Sequence, residues 1–443
     1  MIRYVCAGLV LLFILFISEN QIKAEVIHIT QKDDTLYNIG ERYNIPPDQL
    51  AKLNGMSKER KLVRGQSILV PGQAYIVQPS DTLYKIAKRH KVSVNEIMEK
   101  NDLKSTKILK GHTLTVPKKQ KTPIKVGAYF IPQDKVYNDQ IIDNLGQYLT
   151  TIYLFSYTPN RDGTLSPISL KGSVNKAWRK GVLPFATVTN LSATGFDPDL
   201  AHELIRTETK RKTFINHLYS LLDRHDYKGV VIDFEGLHPE DRSLFSRFIK
   251  ELSDRLHPNN MKVHVAVPPM QGSSSPSYSA AFDYKTLGEH ADTLFLMTYN
   301  WHWLGGSSGP IAPIYKVKKT LEFATSVVPR EKLMLGIPMY AYDWVVSSKE
   351  NVEGKAYSVQ NAIATYIRHE SQIYYDEQSE APWFRYKDEQ GRTHEVWFED
   401  PRSLLAKFEL VRDYQLGGMG AWQLDFSMRQ SETLLRSEFS VLK

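Results

Sequence analysis

Eight short runs of apolar, largely β-branched residues recur between longer helical stretches over the last 300 or so residues of this 443-residue chain. They lie at 126–131, 151–155, 182–188, 230–234, 263–267, 293–297, 333–337 and 418–422. A buried parallel strand reads as such a run, and eight of them alternating with helices predict an α/β fold, a (β/α)8 TIM barrel. A doubly wound sheet uses similar units, but no Gly-rich phosphate loop follows the first run. The gap between the seventh and eighth runs is too long for one crossover. It predicts a small α+β lobe inserted at about 342–400, rich in aromatic and charged residues.

The fourth run carries the chemistry. Lys228-Gly229-Val230-Val231-Ile232-Asp233-Phe234-Glu235-Gly236 alternates faces as a strand. Val231, Asp233 and Glu235 share one side, and Val230, Ile232 and Phe234 share the other. The second set is wholly apolar; the first turns acidic at its carboxyl end, where barrel enzymes keep their active sites. Asp-x-Glu alone is more often a solvated turn. The other strand ends change that reading: Tyr129-Phe130 after the first run, Met297-Thr298-Tyr299-Asn300-Trp301-His302-Trp303 after the sixth and Ala421-Trp422-Gln423-Leu424-Asp425 after the eighth. Carboxylates ringed by aromatic side chains suit a sugar, whose C–H faces stack on rings while polar groups read its hydroxyls. No His pair at metal-ligand spacing accompanies these ends, so no metal is expected, and His302 reads as a loop histidine. Trp301, Trp303 and Trp344 are candidates for outer sugar subsites or for loop packing.

An internal repeat precedes the barrel. Asp34-Thr35-Leu36-Tyr37-Asn38-Ile39 returns as Asp81-Thr82-Leu83-Tyr84-Lys85-Ile86, and Gly65-Gln66-Ser67-Ile68-Leu69-Val70-Pro71 returns as Gly111-His112-Thr113-Leu114-Thr115-Val116-Pro117. Each copy reads strand, helix, helix, strand, with Asp34 and Asp81 placed to cap the first helix. Before the repeat, Arg3 and an apolar run from Tyr4 to Ile17 read as a secretory leader. The only cysteine, Cys6, lies inside it, so the mature chain has no disulfide and no thiolate chemistry. The expected organisation is a leader over 1–24, repeats over 26–71 and 74–117, a basic linker over 118–124 and a barrel domain over 125–443. The net charge of +7 favours anionic partners. The basic residues are dispersed and carry no nucleic-acid-binding signature, so no nucleic acid is expected.

The repeats resemble LysM modules in the Asp-Thr-Leu-Tyr-x-Ile opening, the Leu53-Asn54 and Lys100-Asn101 centres and the Gly-x-x-Leu/Ile-x-Val-Pro close. That resemblance implies a βααβ fold that binds N-acetylglucosamine-containing glycans through the loops around the Asp-Thr pair. The barrel resembles glycoside hydrolase family 18, the chitinase-like family. Its fourth-strand D-G-x-D-x-D-x-E stands here as Lys228 to Glu235, its M-x-Y-D/N as Met297 to Asn300, and its final Gly-x-x-x-Trp as Gly418 to Trp422; Gly336 to Tyr340 also fits. LysM modules before such a barrel are similar to bacterial spore-cortex and cell-wall N-acetylglucosaminidases.

The resemblance implies substrate-assisted retaining cleavage of β-1,4 bonds after N-acetylglucosamine, with no cofactor. Glu235 would protonate the leaving oxygen and later activate water. Asp233 would receive the acetamido N–H, Tyr299 would hold the acetamido oxygen, and Trp422 would floor the sugar site. Asn300, Met297, Tyr129 and Gln423 complete the expected substrate-binding set. Two family acids are replaced, by Lys228 and Val231; Val231, one inward step below Asp233, can neither share a proton nor accept one. The expected partner is peptidoglycan, spore cortex being one source, or another N-acetylglucosamine polymer. Chitin hydrolysis and a silent glycan-binding role are the alternatives. A monomer, secreted to the cell wall or spore envelope and without a stable membrane partner once the leader is cleaved, is expected.

Overall fold

The structure is a computed structural model. It describes residues 25–71, 74–77, 81–90, 92–117, 121–272, 275, 277–346 and 354–443. The leader expected over 1–24, with Cys6, lies outside the described residues, as do residues 118–120 of the linker. No helix among the described residues is long and apolar enough to cross a membrane.

The eight runs form a closed parallel barrel: β1 (Thr122–Phe130), β2 (Thr151–Tyr157), β3 (Leu183–Thr189), β4 (Gly229–Asp233), β5 (Lys262–Val267), β6 (Thr293–Leu296), β7 (Leu333–Pro338) and β8 (Gly418–Trp422). Each pairs with the next, and β8 pairs with β1. The first strand starts earlier than its apolar run because the chain's last strand, Phe439–Val441, pairs with Thr122 to Ile124 and lengthens it at the base. The sixth stops one residue early. There Thr298 N–H and Tyr299 N–H turn back onto the carbonyls of Leu296 and Met297, and Thr298 Oγ1 donates to Gly336 O across 2.8 Å in place of a ladder bond.

The alternation read in β4 holds. Val231 packs in the barrel interior with Tyr129, Tyr153, Phe185, Phe295 and Met334, whereas Val230, Ile232 and Phe234 pack outward under the helices. Interior space is set by two glycines. A Cβ on Gly420 would stand 2.3 Å from the Phe295 ring and one on Gly336 2.9 Å from it, so both strands must be bare where that ring crosses the barrel.

Between β7 and β8 the inserted lobe is a five-stranded antiparallel sheet with one helix, Val359–Arg368. Its first strand, Tyr340–Val345, leaves β7 after a single residue. Trp344 is fully buried there, and its indole N–H points to Trp303 O at 3.4 Å. It therefore packs the lobe rather than lining an outer subsite; its strand carries it inward against Tyr342.

Each repeat is strand, helix, helix, strand with its two strands paired antiparallel. Asn54 fastens the second helix to the closing strand: its amide donates to Leu50 O (2.9 Å) and Leu69 O (2.8 Å) and accepts from Leu69 N–H (2.7 Å). Asn101 repeats the clamp on Ile97 and Thr115. The aspartates do not cap the helices as expected. Thr35 and Thr82, which directly precede the first helical residue, accept from Asn38 N–H and Lys85 N–H. Asp34, one residue further out, is buried against His28 (2.9 Å) and Gln31 N–H (2.7 Å).

Candidate active site

Strand β4 ends with Asp233 opposite Thr189 of β3. Its side chain points into the barrel above Val231 and is 4% exposed. The ladder stops there, but the backbone of Glu235 is held as though one more rung existed. Asn190, the residue after β3, accepts from Glu235 N–H through Oδ1 at 2.9 Å and donates from Nδ2 to Glu235 O at 2.8 Å. The same Nδ2 donates to Asp197 O at 3.0 Å, and the Asn190 side chain is fully buried. A side-chain amide thus imitates a strand neighbour and fixes where the Glu235 carboxyl leaves the chain.

Glu235 borders a cleft of about 660 Å³, part of it open to solvent, at the carboxyl end of the barrel. Met297, Tyr299 and Asn300 form one wall; Pro268, Pro269 and Tyr278, from beyond β5, form another. Burial raises the Glu235 carboxyl to about 7. Burial also raises Asp233 well above the usual carboxylate range, and the neighbouring Glu235 charge adds to it. The pair therefore keeps at least one proton near neutral pH. Asp233 Oδ1 and the Tyr129 hydroxyl are buried without a hydrogen-bond partner among the described residues. Burial, and then the charge of Asp233, push the Tyr129 and Tyr299 hydroxyls up, so both rings stay neutral donors.

The other expected residues gather around this pair. Trp422, half-buried at the end of β8, lies 5.2 Å from the Tyr129 ring, and the Phe155 ring meets it at 78°. Gln423 is buried and donates to Asp425, which also accepts from Tyr137 at 2.6 Å. Met297 closes the top of the interior cluster. Asn300 sits at φ 63°, and its Oδ1 accepts from Tyr340 (2.5 Å) and Tyr342 (2.9 Å), so the lobe's first strand braces the loop after β6. Trp303 is 59% exposed beyond that loop and Trp301 is half-buried. His302 bonds Ser307 O at 3.1 Å, within its own loop. Lys228 stands at the base of β4, its Nζ on Asn260 O at 2.7 Å, at the opposite end of the strand from the acids.

Sequence reading missed Asn190 and Tyr278. Asn190 follows a strand run directly, and its place at a strand's carboxyl end was the available signal. Tyr278 comes from a loop that has no such marker. A second cavity of about 600 Å³ lies between β1, β7, β8 and the helices outside them; apart from Ser427, Ser431 and Glu432 it is lined by apolar residues and glycine, and it holds no catalytic group. Among the described residues, no group of three or more His, Cys, Asp or Glu could hold a metal ion.

Residues 195–426, which carry β4 to β8 and both carboxylates, match the pattern of glycosyl hydrolases family 18. The chain belongs to glycoside hydrolase family 18. Residues 28–71 and 75–117 of this hydrolase match LysM domains. It is 35% identical over 420 residues to the putative sporulation-specific glycosylase YdhD of Bacillus subtilis, covering 94% of this chain and 99% of that protein. It is 34% identical over 418 residues to the cortical fragment-lytic enzyme of Bacillus anthracis, covering 93% and 97%. The crystal structure of the Bacillus cereus spore cortex-lytic enzyme SleL superposes with a TM-score of 0.88 at 32% identity, covering 95% of this chain and 99% of that one. The family 18 hydrolase thus shares with these proteins nearly the whole course of its chain.

Proposed function

We propose that this family 18 hydrolase cleaves β-1,4 bonds after N-acetylglucosamine in peptidoglycan, spore cortex included, and acts outside the membrane with its LysM modules on the glycan. The observation that carries the reading is the end of β4. Two carboxyls, Asp233 buried and Glu235 half-buried and raised to about 7, lie side by side at the mouth of a barrel walled by Tyr299, Trp422 and Tyr129. The similarity to cortex-lytic proteins along nearly the full chain supports the polymer.

The chemistry is substrate-assisted. Glu235, placed in the cleft and protonated near neutrality, gives its proton to the glycosidic oxygen. The acetamido carbonyl oxygen of the same sugar bonds to the anomeric carbon as the leaving group departs, giving an oxazolinium ion. Asp233 Oδ1, buried with no hydrogen-bond partner among the described residues, accepts the acetamido N–H. That contact favours the charge on Asp233 and leaves the shared proton on Glu235, where it is needed. Glu235, now a carboxylate, takes a proton from the water that opens the ring, so configuration is retained. Tyr299 holds the acetamido oxygen, and the Trp422 face supports the sugar.

Digestion of cortex peptidoglycan, vegetative peptidoglycan and chitin by wild type and Glu235→Gln tests this. New reducing ends at N-acetylglucosamine from peptidoglycan, absent with the variant, are expected. Products from chitin alone would reassign the substrate, and binding without products from any glycan would overturn the catalytic reading.

A further inference from the structure

The repeat contains its own control, because equivalent residues of the two modules have different surroundings. In module 1 selected positions from Asn54 to Leu69 are held against the hydrolase body, although Gly55, Ser57, Glu59, Lys61 and Arg64 between them stay exposed. Val63 and Leu69 join the barrel's hydrophobic cluster. Arg64 O accepts from Ile373 N–H at 2.9 Å, Ser67 Oγ donates to Asp400 at 2.6 Å, and Gln430 Nε2 donates to Asn54 Oδ1 (2.8 Å) and Ser67 O (2.9 Å). Gly65, at φ 83°, leaves no space for a side chain: a Cβ would stand 2.0 Å from Ile373 O.

In module 2 the same positions are open. Leu109, the counterpart of Val63, is 56% exposed, against 6%. His112 and Thr113, the counterparts of buried Gln66 and Ser67, are exposed. Gly111 has the same φ, 85°, and nothing lies within 4 Å of its Cβ position.

The cations differ in pairing rather than in exposure, since Lys61 and Arg64 are themselves exposed. Lys58, Lys61 and Arg64 of module 1 recur as Lys104, Lys107 and Lys110 of module 2. In module 1, Lys58 pairs with Asp48 at 3.3 Å and Lys61 with Glu370 at 2.5 Å. Asp48 becomes Asn95 in module 2. Lys104, Lys107 and Lys110 are all exposed and lie within five residues of Leu109 along the chain.

We propose that the two modules divide the work: module 1 is a fixed part of the hydrolase body, and module 2 docks an anionic N-acetylglucosamine polymer through residues 102–113. The inference rests on the proposed peptidoglycan reading and adds which repeat engages the polymer and by what chemistry. Leu109 offers an apolar contact to a sugar face, and the three lysines near it along the chain complement the carboxylates that peptidoglycan carries and chitin lacks. The cost of ordering falls as well, since module 1, pinned to the body, limits where its neighbour can lie.

The test is co-sedimentation with insoluble peptidoglycan, using the full chain with Glu235→Gln so that the polymer survives. Lys107→Glu/Lys110→Glu is expected to weaken retention about tenfold, the effect of losing two exposed charge pairs and gaining two repulsions, with the loss shrinking as salt is raised. Leu109→Ser is expected to weaken retention in a way that salt does not alter. Lys58→Glu, in module 1, is expected to sediment as the parent does. Unchanged retention of both module 2 variants, with melting midpoints equal to the parent's, overturns the inference, as does an equal loss from Lys58→Glu. A parent that does not sediment overturns the peptidoglycan reading and the inference with it.

Discussion

Glu235→Gln should abolish hydrolysis and at the same time stabilise the fold, but only at neutral and alkaline pH. The carboxyl titrates at about 7 in the folded chain because burial disfavours its charge, against an ordinary value of 4.5. A group whose pKa is raised by folding binds its proton more tightly in the native state. Its stabilising contribution is complete below pH 4.5, declines as the pH rises toward 7, and is gone above that. The glutamine cannot ionise and escapes the decline. The shift is equivalent to about 2–3 kcal/mol once the part of the carboxyl that reaches the open cleft is discounted, or roughly 3–5 °C in melting midpoint for a domain of this size. Thermal or urea unfolding of both proteins at pH 4 and pH 8.5 reads it directly. The midpoints should coincide at pH 4, and the variant should be higher at pH 8.5. A gap of the same size at both values, or one that grows toward acid, would refute the assignment of a buried, proton-holding Glu235.

Asn190→Ala leaves Glu235 N–H, Glu235 O and Asp197 O short of a partner. It should cost about 1–3 kcal/mol of stability and lower kcat more than it changes KM, since the acid is displaced rather than the sugar site removed; Asn190→Asp, which puts a negative charge beside Glu235, should move the alkaline limb of the pH–rate profile upward. Trp422→Ala removes the ring packed on Tyr129 and Phe155 and should reduce kcat/KM by about 2–3 kcal/mol, near a hundredfold, with Glu235 titrating as before in the pH profile. Val231→Asp places a third carboxyl in a fully buried interior position below Asp233 and should change the pH–rate profile; an identical profile counts against any part for that position in the titration. Gly65→Ala and Gly111→Ala carry the same backbone strain, so only the first, which drives a methyl into Ile373 O, should lower the melting midpoint of the hydrolase body by several degrees.

What the sequence made legible follows from what is periodic. Strand alternation is a local geometric rule, so the inward set Val231, Asp233 and Glu235 could be read from residue order alone, and the burial of Val230, Ile232 and Phe234 under the helices agrees with it. Capping was misread because it depends on one residue of register: Asp34 and Thr35 are both good caps by type, and only the helix start decides between them. The bracing of Asn300 by Tyr340 and Tyr342, and the grip of Asn190 on Glu235, join residues roughly 40 positions apart or more, and no local pattern announces such pairs. The repeats mark the limit most sharply. Their signature positions match, down to three cations at matched spacing, yet one copy is walled in by Ile373, Asp400 and Gln430 while nothing lies against the matching glycine of the other. A repeat read from sequence invites the conclusion that both copies act alike and that binding strengthens with their number. Docking one copy onto the catalytic body removes its surface from that count and turns it into the part that sets where the other copy can reach. The distance between anchor and cleft is then a property of the fold rather than of a linker.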